Sequence, residues 1–504
     1  MSMFSIDIHK LLDQFRYNPE EPLIFNSGVF LFLFLGFLII YTALSKTHRP
    51  KLLFVTLFSL YFYYKSSGLY FLLLLSTTLI DYTLARFIFQ STSPWKRSSL
   101  LAASLVANLG LLGYFKYTNF LHELFSQAAG ITYQPFDIFL PVGISFFTFQ
   151  SLSYTIDIYR RKLKPVDHIL DYAFFVSFFP QLVAGPIVRA TDFLPQLSKP
   201  TFVSKEMFGR GVYLICTGLF KKAIISNYIS LNFVDRIFDA PTLYSGLENL
   251  FGVYGYALQI YCDFSGYSDM AIGIALLLGF HFSINFDSPY QSKNITEFWR
   301  RWHISLSTWL KDYLYISLGG NRKGKIRTYI NLLITMLLGG LWHGAAFRFI
   351  LWGALHGAAL AVHKFFSSIL SRATTLSNGT IIQNPLIKSL GSIGSILLTF
   401  HFVCFSWIFF RASSMEVAYQ MISQITGHFN PQIFFEFVSG YKGVVFLMGL
   451  GFILHFIPAT TEQKAEELVT KMPLVGKAAL VVSIIILVVQ TKSAGIQPFI
   501  YFQF

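Results

Sequence analysis

Residues Asn294 to Phe347 read NITEFWRRWHISLSTWLKDYLYISLGGNRKGKIRTYINLLITMLLGGLWHGAAF. An aromatic and charged stretch, a basic loop and a charge-free apolar run follow one another here. Asn294 followed by Glu297 predicts a capping box and a helix start. On one continuous helix from Asn294 to Tyr315, Glu297 and Arg301 share a face, as do Trp299 and His303. Trp299, Trp302, Trp309, Tyr313 and Tyr315 supply amphipathic rings suited to the headgroup level, so this helix is expected to lie along the membrane interface. The loop that follows places Arg322, Lys323, Lys325 and Arg327 within six residues. Such an excess of cations marks a cytoplasmic loop beside anionic lipid. The functional reading beside that first one is a landing site for an anionic acyl donor, such as a phosphate-bearing cofactor or an acidic carrier protein. The run Thr328–Phe347 that follows is free of charged residues and holds one histidine, His343. On a straight helix His343 would lie about 24 Å from Arg327, an upper bound if Gly339 and Gly340 break it. Gly339, Gly340, Gly344, Ala345 and Ala346 either let backbones approach closely or leave room for a substrate.

The rest of the chain explains why an apolar run of this kind is a membrane segment. Of 504 residues, 39 are Lys or Arg and 25 are Asp or Glu, so only 13% are charged. Soluble domains carry about 25%, and these charges are too few to coat two or three soluble domains. The 56 Phe residues point the same way. Lipid is the solvent for most of this protein. The composition excludes a disordered chain, and Cys216, Cys262 and Cys404 are too scattered for a disulfide scaffold or a zinc site. The net charge of +14 belongs to membrane-flanking loops rather than to a nucleic-acid surface.

Apolar windows of spanning length include Leu23–Ser45, Ser98–Phe115, Tyr172–Val188, Met270–Phe286, Ser389–Phe410 and Gly443–Thr461, and Gly211–Val234 is interrupted by Lys221 and Lys222. They predict an all-α polytopic membrane protein with about ten to twelve crossings, in a single domain over residues 1–504. The first window follows Glu20 and Glu21, too late for a cleavable signal peptide. Within residues 1–24, Phe4 to Tyr17 are spaced as a helix on the membrane surface, and residues 371–388 read as a polar loop. Two windows make poor helices: Ile138–Ile156 carries Pro141 and Gly143, and Phe178–Val188 carries Pro180, Gly185 and Pro186. Each is either a re-entrant segment enclosed by protein or a loop outside the membrane.

Candidate chemistry centres on histidine. Imidazole, with an unperturbed pKa near 6.5, can take a proton from a hydroxyl and return one to a leaving group at neutral pH. Ionisable groups at membrane depth usually face a cavity or the bundle interior. His281, His356, His401 and His455 also fall in apolar windows and are expected to be helix–helix hydrogen-bonding residues. Asp263 and Asp269 are six residues apart and would point to different sides of a helix, so they are not paired carboxylates. No nucleophile elbow, zinc-protease motif or phosphate-binding loop is present.

The runs FFPQLVAGPIVR (178–189), YCDFSGYSDMAIG (261–273), the stretch from Ile295 to Gly324, LLGGLWHGA (337–345) and PFIYFQF (498–504) resemble the bacterial branch of the membrane-bound O-acyltransferase (MBOAT) family, closest to its alginate O-acetyltransferase membrane components. The resemblance implies a ring of membrane helices around a thinned centre, where funnels from both faces meet at a histidine, with residues 291–363 as the catalytic core. It casts His343 as the catalytic histidine and His303 as the second polar position. Trp342, Asp312 and Arg301 are then scaffold, and Arg322, Lys323, Lys325 and Arg327 the donor-binding loop. It further implies a bacterial inner-membrane location, acetyl-CoA as donor, no tightly bound cofactor or metal, and an acyl-accepting partner protein outside the membrane that serves an exported polysaccharide. The chemistry is general-base help from His343 or a covalent acyl-histidine. D-alanyl transfer from a carrier protein is the nearest alternative. A lipid-linked glycan transporter is a more distant one, disfavoured by the absence of repeat symmetry, as is a scaffold that recruits a soluble acyltransferase.

Overall fold

The computed structural model describes residues 13–19, 21–376 and 385–491. Most of the N-terminal segment expected on the membrane surface, the centre of the 371–388 stretch and the terminal PFIYFQF run lie outside the described residues. Helices reach into both ends of the 371–388 stretch, to Leu376 and from Pro385. Among the described residues every regular element is a helix. His48–Gln90, Pro94–Ala129, Phe347–Ile369 and Ser389–Arg411 are long and apolar enough to cross a membrane. Two bent pairs, Pro431–Gly440 with Lys442–His455 and Ala459–Lys471 with Leu474–Gln490, raise the number from four to at most six.

The expected ten to twelve crossings rest on apolar windows, not all of which become one long helix among the described residues. Several windows form short or broken helices. Leu23–Ser45 yields the 16-residue helix Gly28–Ala43, and Tyr172–Val188 breaks at Phe178 between the helices Ile169–Ser177 and Phe179–Leu182. Apolar sequence marks removal from water, and the covering neighbour is either lipid or protein.

The described residues divide into two compact units, one within 13–215 with 267–283, the other of 216–266 with residues from 284 to 491. In the first, Phe174, Phe178, Phe179, Leu182 and Ala184 are essentially inaccessible. Phe178 packs on Phe193 and Phe280 at 5.5 and 5.2 Å between ring centres. The broken segment is therefore enclosed by protein, where irregular backbone is tolerated. Gly143 begins the Ile144–Tyr159 helix with φ +74°, and a Cβ there would lie 2.6 Å from the Leu182 carbonyl oxygen.

The second unit is organised by an antiparallel pair, Lys325–His343 and Phe347–Leu376. The first of these helices runs unbroken through Gly339 and Gly340. A Cβ on Gly340 would sit 2.2 Å from the Phe349 carbonyl oxygen. Gly340 thus serves close approach of two backbones, Gly339 faces the Leu310 side chain, and neither interrupts the helix. His343 is the last residue of this helix, at the end opposite the basic loop.

Candidate active site

Asn294 caps its helix as the sequence predicts. Its side-chain oxygen accepts from the Glu297 backbone N–H at 2.9 Å, while the Glu297 carboxylate accepts from the Lys293 N–H at 3.0 Å and pairs with Arg301 at 3.0 Å. The single helix from Asn294 to Tyr315, however, does not form. It stops at Arg301, Trp302 is extended, and His303 adopts φ +43°, ψ +55° ahead of a new helix, Ile304–Trp309, and a π-helical turn, Leu310–Tyr315. Trp299 and His303 therefore do not share a helix face.

The cause is Asn285, from a segment distant in sequence. Its backbone carbonyl accepts from the Ile304 N–H at 2.9 Å, and Asp287 donates to the Arg301 carbonyl at 3.0 Å. The Asn285 side-chain oxygen accepts from the backbone N–H and the hydroxyl of Ser305 at 3.1 and 2.9 Å. These bonds replace the helical ones that the Ile304 and Ser305 N–H groups and the Arg301 carbonyl give up, while the Trp302 N–H keeps its own to the Phe298 carbonyl. Trp299, Trp302, Trp309 and Tyr313 are all buried, so these rings pack inside protein instead of meeting headgroups.

The Asn285 contact also settles the state of His303. Because the Ser305 N–H fixes that Asn285 atom as an acceptor, the His303 nitrogen 3.3 Å from it must be Nδ1–H, donating. The basic nitrogen is then Nε2. His303 has no exposed surface, and burial pushes its pKa well below the ordinary imidazole value, which favours this neutral form.

His303 and His343 both pack against Trp342. The ring centres are 6.1 Å apart for His303 and Trp342 and 5.0 Å apart for Trp342 and His343. Phe264 closes the far side of His303 at 4.5 Å, edge to face. Trp352 and Phe410 close on His343 at 5.1 and 5.2 Å. His343 is only 3% exposed and Trp342 4%, so the pair lies in an aromatic interior.

The four expected donor-binding residues lie apart from this pair. Arg322, Lys323, Lys325 and Arg327 are exposed, and the helix axis separates Arg327 from His343 by about 24 Å. Arg301 helps line a cavity of about 450 Å³ with Asp287, Thr296, Glu297, Arg300 and His363. Asp312 is half-buried on the π-helical turn.

One residue of the site was not singled out from the sequence. Asn285 carries no motif, and only the fold reveals its role. His356 was expected to bridge helices, and it does: Trp299 Nε1–H donates to its Nδ1 at 3.2 Å, and its Nε2 meets the Ser406 hydroxyl at 2.9 Å. Lys222 and Asp263 form a buried ion pair, their side chains 2% and 5% exposed. Part of the clue was available, since cations at 221–222 and carboxylates at 263 and 269 in apolar surroundings seek opposite charges in lipid, but the letters do not say which two meet. Asp263 immediately precedes Phe264, the wall of His303. Lys222→Met alone is expected to destabilise the protein by about 3–5 kcal/mol, because it strands a buried carboxylate, whereas Lys222→Met with Asp263→Leu recovers most of that loss. Thermal unfolding in detergent of the single and double variants tests this. A single variant as stable as the unaltered protein would show the pair to be dispensable.

Comparison with known proteins adds the following. The family model described as MBOAT, membrane-bound O-acyltransferase family, matches residues 58–403. The chain is 41% identical to a probable alginate O-acetylase AlgI of Pseudomonas aeruginosa, over 79% of this chain and 74% of that protein. It is 38% identical to a peptidoglycan O-acetyltransferase of Helicobacter pylori, over 80% of each chain. It is also 30% identical to a teichoic acid D-alanyltransferase of Bacillus subtilis, over 55% of this chain and 70% of that one.

Proposed function

This chain belongs to the membrane-bound O-acyltransferase family and is a multi-pass membrane O-acyltransferase, and from that premise we propose that it carries an acetyl group from cytoplasmic acetyl-CoA to a protein acceptor outside a bacterial inner membrane, for O-acetylation of an exported polysaccharide. Supporting acetyl over D-alanyl, the relatives named as acetylating proteins align over more of the chain and at higher identity than the one named as a D-alanyltransferase.

The observation that carries the site assignment is the placement of two buried imidazoles against Trp342, at the inner end of the one helix whose outer end bears the basic loop. In this reading the donor's phosphates rest against Arg322, Lys323, Lys325 and Arg327, and the thioester reaches inward. His343 takes the proton of the acceptor hydroxyl. The hydroxyl oxygen bonds to the thioester carbonyl carbon, the carbon–sulfur bond breaks, and the thiolate leaves toward the cytoplasm with the proton returned by the imidazolium. General-base help of this kind contributes about 10²–10⁴-fold. His303 is a positioning residue in this scheme, orienting groups on the cytoplasmic side.

Proteoliposomes containing the protein, labelled acetyl-CoA outside and the candidate acceptor inside test the assignment. The expected result is label on the acceptor across the bilayer. Label arriving only from a D-alanyl carrier protein, or intact glycan crossing without acyl transfer, would replace this reading by one of its alternatives. The basic loop makes a separate prediction. Replacing Arg322, Lys323, Lys325 and Arg327 by Gln is expected to raise the donor KM by about tenfold or more at low salt, with kcat little changed and the difference shrinking as salt is added. A KM unaffected by the four substitutions would leave the loop with its topological role alone.

A further inference from the structure

The aromatic walls of His343 include a hydrogen-bond donor that the scheme above leaves unused. Trp352, on the Phe347–Leu376 helix, is 1% exposed. Among the described residues its indole Nε1 is buried and meets no acceptor. Buried donors in proteins are nearly always paired, and one that is not calls for a reason.

The surroundings of Trp352 fix the ring in place. It stands nearly perpendicular to the His343 ring, at 87° and 5.1 Å between centres, and stacks on Trp407 at 19° and 5.9 Å. His356 flanks it at 4.7 Å. Both His356 nitrogens are already engaged, Nδ1 by Trp299 and Nε2 by Ser406, whose hydroxyl passes its own proton to the Val403 carbonyl at 2.7 Å. His356 is therefore not available to accept the Trp352 proton.

Resting on the proposed role of His343, we infer that Trp352 Nε1–H is a catalytic donor to the carbonyl oxygen of the acyl thioester. When the acceptor oxygen bonds to the carbonyl carbon, the carbon–oxygen π pair moves onto that oxygen, and the indole N–H stabilises the charge. When the carbonyl re-forms, the charge returns and the carbon–sulfur bonding pair departs with the thiolate. A donor held rigid in a water-poor aromatic site suits this task, because it needs no reorganisation as the charge develops.

Trp352→Phe keeps an aromatic ring and removes the N–H. The expected result is a kcat lower by about 10²-fold with the donor KM within about twofold, since a transition-state interaction is lost and ground-state binding is not. Its melting temperature should not fall through loss of a hydrogen bond, since the N–H has no protein partner to lose. Benzothienylalanine at position 352 replaces the N–H by sulfur with little change of shape, and decides the question if the Phe variant packs poorly. A folded variant of either kind that keeps kcat within about threefold overturns the inference. His343→Ala separates the two layers: an inactive His343→Ala beside an active Trp352→Phe sinks only the role of Trp352, whereas a fully active His343→Ala sinks the site reading on which it rests.

Discussion

Acyl transfer by His343→Ala should fall by at least about 10²–10⁴-fold, the share that general-base help supplies. The basis is both chemical and positional. His343 is the only histidine of the Lys325–His343 helix, and it ends that helix among Trp342, Trp352 and Phe410. Truncating an imidazole packed among three rings also leaves a cavity, so His343→Gln is the better-matched companion. Both variants should elute as folded protein in detergent and still bind the acyl donor, because the basic loop lies at the far end of the helix. The measurement is the rate of label transfer to the acceptor at saturating donor. A folded His343→Gln that works within about tenfold of the unaltered protein would remove His343 from the chemistry, and the proposed mechanism with it.

Gly340→Val is expected to prevent proper assembly of the second unit. The Cβ alone would stand 2.2 Å from the Phe349 carbonyl oxygen and 3.2 Å from the Gly353 Cα. Both neighbours are backbone, so no side chain can swing aside, and the two helices must separate. Overpacking of this kind costs about 1–3 kcal/mol or more, and valine adds two methyl groups to the collision. Because His343 lies one turn beyond Gly340 on the same helix, separation also displaces the imidazole from Trp352 and Phe410. Yield of folded protein and melting temperature read the effect, with Gly391→Ala as the control, since a Cβ at Gly391 meets nothing within 4 Å. If Gly340→Val melts like the Gly391→Ala control, the close crossing is not required.

These two variants probe features of different legibility. The isolation of His343 in an apolar run is visible in the letters alone, because few other groups there can exchange a proton near neutral pH. The need for small residues before it is visible too, but not whether they make space for a ligand or for another backbone. The Phe349 carbonyl decided that for Gly340.

Local patterns in the sequence determined what depends on neighbours a few residues away: the solvent class from the scarcity of charge, the Asn294 cap, the Glu297–Arg301 pair, and the helix that carries His343. Only the tertiary structure decided the break at Trp302–His303, the pairing of Lys222 with Asp263, and which apolar windows face protein instead of lipid. The reason is physical. Hydropathy and helical spacing report that a side chain avoids water, and they are silent on what replaces the water. The bonds that break a helix at His303 come from Asn285, a partner that chain folding, not spacing, brings within reach.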